Sequence, residues 1–159
     1  MTASATQFRT AVPADRQAIA EMWLSSWAST RLAKTPVESQ PTVESLRERL
    51  DAEMAGKWTV TVAEKAGRIQ GFLALDQSAA VLDQLFVAPD CQGQGIGGAL
   101  LSRAKEIMPD GFSLRTAAEN EATGFYDRAG LQRVRMMVHP ATGHRLMQYR
   151  WSGSAAFAA

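Results

Sequence analysis

Gly93, Gly95, Gly97 and Gly98 follow an apolar stretch, Leu85-Phe86-Val87, and a short polar turn, Ala88-Pro89-Asp90-Cys91-Gln92. From there Ile96, Ala99, Leu100, Ala104 and Ile107 recur at helical spacing, which predicts a helix over Ile96–Ile107. A first turn built of glycine leaves its backbone N–H groups uncovered at the positive end of the helix dipole. Such a site takes an anion, and a phosphate or pyrophosphate suits it best. Gly93, Gly95 and Gly98 also satisfy G-x-G-x-x-G, the dinucleotide fingerprint. That motif belongs directly after a strand near the start of a long alternating chain. Here a five-residue turn intervenes and only about sixty residues follow, so a nicotinamide-dependent oxidoreductase is disfavoured. An ordinary glycine-rich strand-to-helix turn is the reading without chemistry.

Other residues could move protons. Tyr126 sits in Ala122-Thr123-Gly124-Phe125-Tyr126-Asp127-Arg128-Ala129-Gly130-Leu131. Its phenol, with an ordinary pKa of about 10, is a weak enough acid to protonate a departing thiolate. A core tyrosine with a satisfied hydroxyl is the alternative. Asp83 lies two residues before Leu85 and four before Val87, which places it on their face of the strand. Glu21, Asp76, His139 and His144, or a water chain, are the other candidates for a base. The single cysteine, Cys91, has no acid or His at suggestive spacing and reads as a spectator in the turn.

The elements that must position these groups follow from periodicity. Phe8–Val12 reads as a first strand, and Pro13 with Asp15 opens a helix whose face carries Ile19, Met22, Trp23, Ser26, Trp27 and Thr30. Trp23 and Trp27 are expected in the core, the alternative being a wall of an acceptor pocket. Residues 31–42 form a loop or broken helix. Thr42 or Ser45 caps a second helix with Leu46, Leu50 and Met54, ended by Gly56. Trp58–Val62, Ile69–Leu75 and Ser78–Val87 read as antiparallel strands, and Phe112–Thr116 as a strand reached by a right-handed crossover. Asn120 caps a helix over Glu121–Ala129, and strands over Leu131–Val138 and His144–Trp151 close the chain. The order β-α-α-β-β-β-α-β-α-β-β is an α+β plan on one mixed sheet. It occupies residues 7–151 as one domain, with 1–6 and 152–159 as flexible tails.

Gln92, Gly95 and Gly97 form Gln-x-x-Gly-x-Gly after Leu85-x-Val87 and Pro89. This arrangement resembles the acetyl-CoA loop of the GNAT family of N-acetyltransferases. The element order matches that family's, and Ala122–Leu131 is similar to its A-x-x-F-Y-x-x-x-G-F segment, with Leu131 in place of the Phe. The resemblance implies acetyl-CoA as co-substrate and no metal. The loop residues Gln92, Gly93, Gln94, Gly95, Ile96, Gly97 and Gly98 would hold its pyrophosphate. Leu85, Phe86 and Val87 would pair with the pantetheine amides, with the Val87 N–H near the oxyanion. Tyr126 would lie beside the sulfur, with Asp83 as a candidate base. The family's Asn lies seven residues before this Tyr, where Glu119 stands. Asn120 is one residue away, so it fills the role only if the helix start is shifted. The implied reaction is acetylation of a primary amine of a small molecule or peptide by direct attack. A non-catalytic binder of CoA on the same fold is the alternative.

The bulk composition fits. At 159 residues the chain is long enough for one core, with 46% apolar and 21% charged residues. A net charge of +1 gives no electrostatic pull toward nucleic acid or a membrane surface. One cysteine suits a reducing compartment, and the N-terminus has no apolar run of the signal-peptide kind, so a cytoplasmic location is expected. The last strand alternates Met147, Tyr149 and Trp151 on one face, more apolar than an open edge should be. A homodimer, or the chain's own helices, would cover it.

Overall fold

The computed structural model describes residues 5–29, 40–118, 121–141 and 143–154. Its strands are β1 (Gln7–Thr10), β2 (Trp58–Lys65), β3 (Arg68–Asp76), β4 (Val81–Val87), β5 (Phe112–Ala117), β6 (Gln132–Val138) and β7 (Arg145–Trp151). The helices are α1 (Arg16–Ala28), α2 (Val43–Gly56), α3 (Ile96–Ile107) and α4 (Ala122–Arg128). The strands form one mixed sheet in the order β1-β2-β3-β4-β5-β7-β6. Every neighbouring pair is antiparallel except β4 and β5, which α3 connects. The fold is therefore the expected single mixed-sheet α+β domain. Among the described residues no helix is long and apolar enough to cross a membrane.

The two sheet faces are covered by different helices. Trp23 of α1 packs on Trp58, Phe72 and Phe86, with centroids 6.2, 5.2 and 6.0 Å away, so α1 covers the face these rings share. Trp23 is 3% exposed and belongs to the core, as expected, while Trp27 is half-buried. A capping box starts α2: the Ser45 N–H donates to Thr42 Oγ1 at 3.0 Å, and the Thr42 N–H donates to Ser45 Oγ at 2.8 Å. On the opposite face α3 lies against β3. A Cβ on Gly71 would stand 2.9 Å from the Phe86 carbonyl oxygen, 3.2 Å from Leu100 Cδ1 and 3.4 Å from Ile96 Cγ2. Gly71 therefore lets the first turn of α3 sit directly on the sheet. Further along that face α4 packs on β7, where Tyr149 Oη donates to the Thr123 carbonyl at 3.1 Å and to Asp127 Oδ1 at 3.0 Å.

Two expectations are corrected. The strand expected from Ser78 begins at Val81, because residues 77–80 form a turn. Asp76 closes it by accepting from Ser78 Oγ at 2.8 Å and from the Ala79 N–H at 3.1 Å. Asp83 does not share the face of Leu85 and Val87. In the β3–β4 ladder Leu75 pairs with Leu82 and Ala74 with Gln84, so Asp83 is the extra residue of a bulge. Leu85 and Val87 pair with Leu73 and Gly71 on the α3 face, whereas Asp83 turns to the α1 face, where Trp58 reaches it. The apolar face of β7 has one of the two covers expected for it, the chain's own helices. The strand lies between β5 and β6, and its Tyr149 and Trp151 are covered by α4 and α3 of the same chain. This face gives no reason to invoke a second copy. Ser152–Ser154, expected in the tail, return against the turn after α3, with the Ser154 N–H donating to the Pro109 carbonyl at 3.0 Å.

Candidate active site

The site arises where the sheet fails to stay paired. β4 and β5 register only at Val81 and Ser113, then separate. On the other side of β4 the Ala88 N–H donates to the Gln70 carbonyl at 2.8 Å. Backbone groups alternate in direction along a strand, so those of Leu85 and Val87 point away from β3 into the opening. The opening is a cleft of about 760 Å³ that passes from the α1 face to the α3–α4 face. Leu85, Phe86, Val87, Gln92, Gly93, Gly95, Ile96, Gly97 and Gly98 all line it, and so do Tyr126 and Asp83. Gln94 is exposed and does not line it. Asn120 and Glu119 lie outside the described residues, so the choice between them is not placed.

The glycine loop is shaped for close approach. Gly93 and Gly95 have φ of +79° and +84°, the left-handed region that glycine enters without strain. Gly95 is the N-cap of α3, and a Cβ added at Gly93, Gly95 or Gly98 would meet nothing within 4 Å. The protein itself does not demand small residues there, apart from the two left-handed positions. The empty space in front of the helix end is what glycine preserves. Gln92, beyond any contact of its own with a ligand, ties the loop to the strand: its Nε2 donates to the Val87 carbonyl at 3.2 Å. Ser26 Oγ of α1 donates to the same carbonyl at 3.0 Å. The Val87 C=O is thus engaged, while its N–H remains directed at the cleft. Arg68 grips Asp90 with two 2.7 Å hydrogen bonds and anchors the turn before the loop. That contact holds the Asp90 carboxyl down at about 2.

Tyr126 is 5% exposed, its ring 5.1 Å from Phe125 and 5.5 Å from Tyr149. Burial, with a smaller contribution from Tyr149, pushes its phenol well above the ordinary value, so it stays protonated. Asp83 Oδ2 accepts the Trp58 indole N–H at 2.9 Å and lies 3.7 Å from Lys57 Nζ. Its Oδ1 makes no hydrogen bond among the described residues. The other base candidates do not line the cleft. Glu21 accepts from Gln17 on the exposed side of α1, Asp76 closes its turn, and His139 and His144 stack at 5.1 Å in the β6–β7 turn. Cys91 is 2% exposed and touches the cleft from its turn.

The family described as an acetyltransferase (GNAT) domain matches residues 17–152. The chain belongs to the GNAT family. Within the curated proteins it is similar to a probable N-acetyltransferase of Mycobacterium tuberculosis, 34% identical over 80 residues. That match spans 46% of this chain and 46% of the relative, so the chain matches about half the length of that protein. Among solved GNAT-like structures it resembles the PaiA N-acetyltransferase of Thermoplasma acidophilum, solved with coenzyme A. The TM-score is 0.73 at 18% identity, over 92% of this chain and 99% of that one. It also resembles YncA of Salmonella typhimurium, solved with its cofactor acetyl-CoA, with a TM-score of 0.66 at 20% identity over 93% and 94% of the two chains. These likenesses show the GNAT fold.

Several cleft residues carry no motif and escape a linear reading. Ser26 and Ser29 reach the cleft from α1 and its C-cap, Arg115 and Thr116 from β5, and Glu121 and Arg128 from the N-cap and last turn of α4. The alternation of Leu114, Arg115 and Thr116 was the one available signal. It takes its meaning from the position of β5 beside the split.

Proposed function

We propose that the protein is an acetyl-CoA-dependent N-acetyltransferase acting on a primary amine of a small molecule or peptide in the cytoplasm. The observation that carries this reading is the split between β4 and β5. It puts an uncovered strand edge, a glycine-lined helix N-terminus and a buried protonated tyrosine around one cleft. Acetyl-CoA would supply a thioester carbonyl open to direct attack by the amine through a tetrahedral intermediate.

The fit rests on open space. The left-handed Gly95 and the unobstructed Gly98 leave the N–H groups of the first α3 turn free for a pyrophosphate, as charge-assisted donors. The Leu85 and Val87 backbone groups add the pantetheine amides as a further strand. The hydrogen bonds from Ser26 and Gln92 to the Val87 carbonyl fix this peptide, and the Val87 N–H, a donor directed at the cleft, stabilises the oxyanion. A donor of that kind is worth about 3 kcal/mol where one has been removed. Tyr126 Oη, protonated across the working range, gives its proton to the leaving sulfur. Asp83 Oδ1, held on the α1 face by Trp58, takes the proton that the ammonium must lose, directly or through water.

The deciding measurement is thiol release from acetyl-CoA across a panel of amines, amino acids and peptides, with calorimetry of acetyl-CoA binding alongside. Binding with amine-dependent thiol release is expected. Tight binding with no release for any amine would make the protein a CoA-binding module, and no binding would overturn the reading.

A further inference from the structure

β5, β6 and β7 contain five arginines, Arg115, Arg133, Arg135, Arg145 and Arg150, and no Asp or Glu. The register distributes them unequally between faces. Arg133 pairs with Tyr149 across the ladder, stacks over that ring and is neutralised by Asp127 at 2.7 Å, so it belongs to the α4 face. Arg145, in step with Met147 and Tyr149, shares that face. The remaining three lie on the opposite face. Arg115 pairs with Gln148, Gln148 pairs with Arg135, and Arg150 pairs with Ser113. Ser113 in turn pairs with Val81, Val81 with Asp76, and Asp76 with Trp58, the ring under Trp23 of α1. The three arginines therefore share the α1 face of the sheet.

On that face none of the three is in an ion pair among the described residues. Arg135 Nε donates to Gln148 Oε1 at 3.0 Å. Arg115 and Arg150 are diagonal neighbours, with Cα atoms about 7–8 Å apart, and Arg135 is one strand further. Like charges so placed repel, and an anion set between them relieves the repulsion. Arg115 also lines the cleft, on the β5 wall, while Asp83 and Gln84 line the β4 wall of the same face. The mouth of the cleft on the α1 side thus has a carboxylate on one wall and a guanidinium on the other. The glycine loop and its phosphate site stand at the N-terminus of α3, the helix that covers the opposite face.

We infer that the acceptor is an amine bearing an anionic group, a carboxylate or phosphonate a few bonds from the nitrogen, with Arg115 as the residue that selects it. This rests on the acetyltransfer reading above and adds the acceptor's charge. The amine stands toward Asp83 and the thioester, and the anion spans to Arg115, where the fork of a guanidinium holds two oxygens at once. Arg135 and Arg150 raise the potential of the approach.

The test compares acceptors matched in skeleton: 4-aminobutyrate against its methyl ester, β-alanine and other amino acids against their amides, and 2-aminoethylphosphonate against propylamine. Thiol release should favour the anionic member by about tenfold or more in kcat/KM, and the preference should fall as salt is raised. The carboxylate and phosphonate arms tell which anion is preferred. Arg115→Gln should abolish the preference chiefly through KM, and Arg115→Lys should restore part of it, while both variants keep wild-type melting temperatures. Equal or better turnover of the neutral partners, or no anionic acceptor turned over at all, overturns the inference. Calorimetry with acetyl-CoA separates the two claims. If acetyl-CoA fails to bind, the acetyltransfer reading falls first; if it binds and neutral amines are preferred, only the charge assignment falls.

Discussion

Tyr126 and Asp83 differ in how strongly their surroundings commit them. Tyr126 is enclosed by Phe125, Tyr149 and the cleft, and burial keeps its proton on. If it protonates the thiolate, Tyr126→Phe should keep the fold and acetyl-CoA affinity, since the ring still packs. Single-turnover kinetics should show the chemical step slowed by about 10²–10⁴, the range for a lost general acid, with kcat falling more than the KM for acetyl-CoA. An acyl donor whose thiol has a lower pKa should suffer a smaller loss, because that group leaves without help. Unchanged single-turnover rates would return Tyr126 to the core. Asp83 depends on a positioning contact, the Trp58 indole N–H. Trp58→Phe preserves an aromatic ring beneath Trp23 but removes the indole N–H that orients the carboxylate, leaving Lys57 as its partner. Its signature should be a fall in kcat without a loss of acetyl-CoA affinity, read by steady-state kinetics and calorimetry.

At the level of elements, the split sheet and the helix that leaves it act as one device. The glycines of that device do different jobs. Gly71 is small because α3 is close: an alanine there would press on Phe86, Leu100 and Ile96. Gly71→Ala should lower stability by about 1–3 kcal/mol, the usual cost of overpacking, as read by denaturant titration. Gly95 is small because the chain turns left-handed there, and the proposed phosphate site lies in front of it. Gly95→Val should therefore weaken acetyl-CoA binding with the protein still folded, and unchanged affinity by calorimetry would remove the phosphate assignment. Gly98 meets nothing and lies within the helix. Gly98→Ala should raise the stability of the ligand-free protein by up to about 1 kcal/mol through helix propensity. It should at the same time reduce the stabilisation that acetyl-CoA gives.

For the molecule as a whole, the first strand and the first helix are locked to the sheet by one charged cluster. Arg9 donates to both oxygens of Asp15, at 2.8 and 2.9 Å, and its Nε donates to Glu64 at 2.8 Å. The Asp15 side chain is 11% exposed and also accepts the Val12 N–H at 2.8 Å. These contacts, the Arg9 hydrogen bonds first, hold its carboxyl below the ordinary 3.8. Because the folded value is the lower one, the stability gained is present above the ordinary value and is lost as pH falls through the depressed one. Asp15→Asn should cost about 1–2 kcal/mol at neutral pH, less than a fully buried pair because Arg9 is partly exposed. The gap between variant and wild type should close as the solution is acidified, and a gap constant with pH would exclude the ionic origin.

Much of this architecture was legible in the linear chain, because local rules act on neighbours. The spacing of Ile96, Leu100 and Ala104 specifies α3, Thr42 and Ser45 specify the start of α2, and the glycines around the first turn of α3 are what suggests an anion site there. The family motifs around Gln92 and Tyr126 are local in the same sense. What only the tertiary structure decided depends on pairing between distant strands. A single extra residue in β4 turned Asp83 from the face of Leu85 to that of Trp58, because side-chain direction in a strand has a period of two and a bulge resets it. The insertion of β7 between β5 and β6 decided what covers a strand too apolar for an open edge: the chain's own helices rather than a second copy. The same insertion gathered Arg115, Arg135 and Arg150, scattered over 36 positions, onto one face beside the cleft. No periodicity within a single strand encodes that meeting. It is a property of the register, which exists only once the chain has closed its sheet.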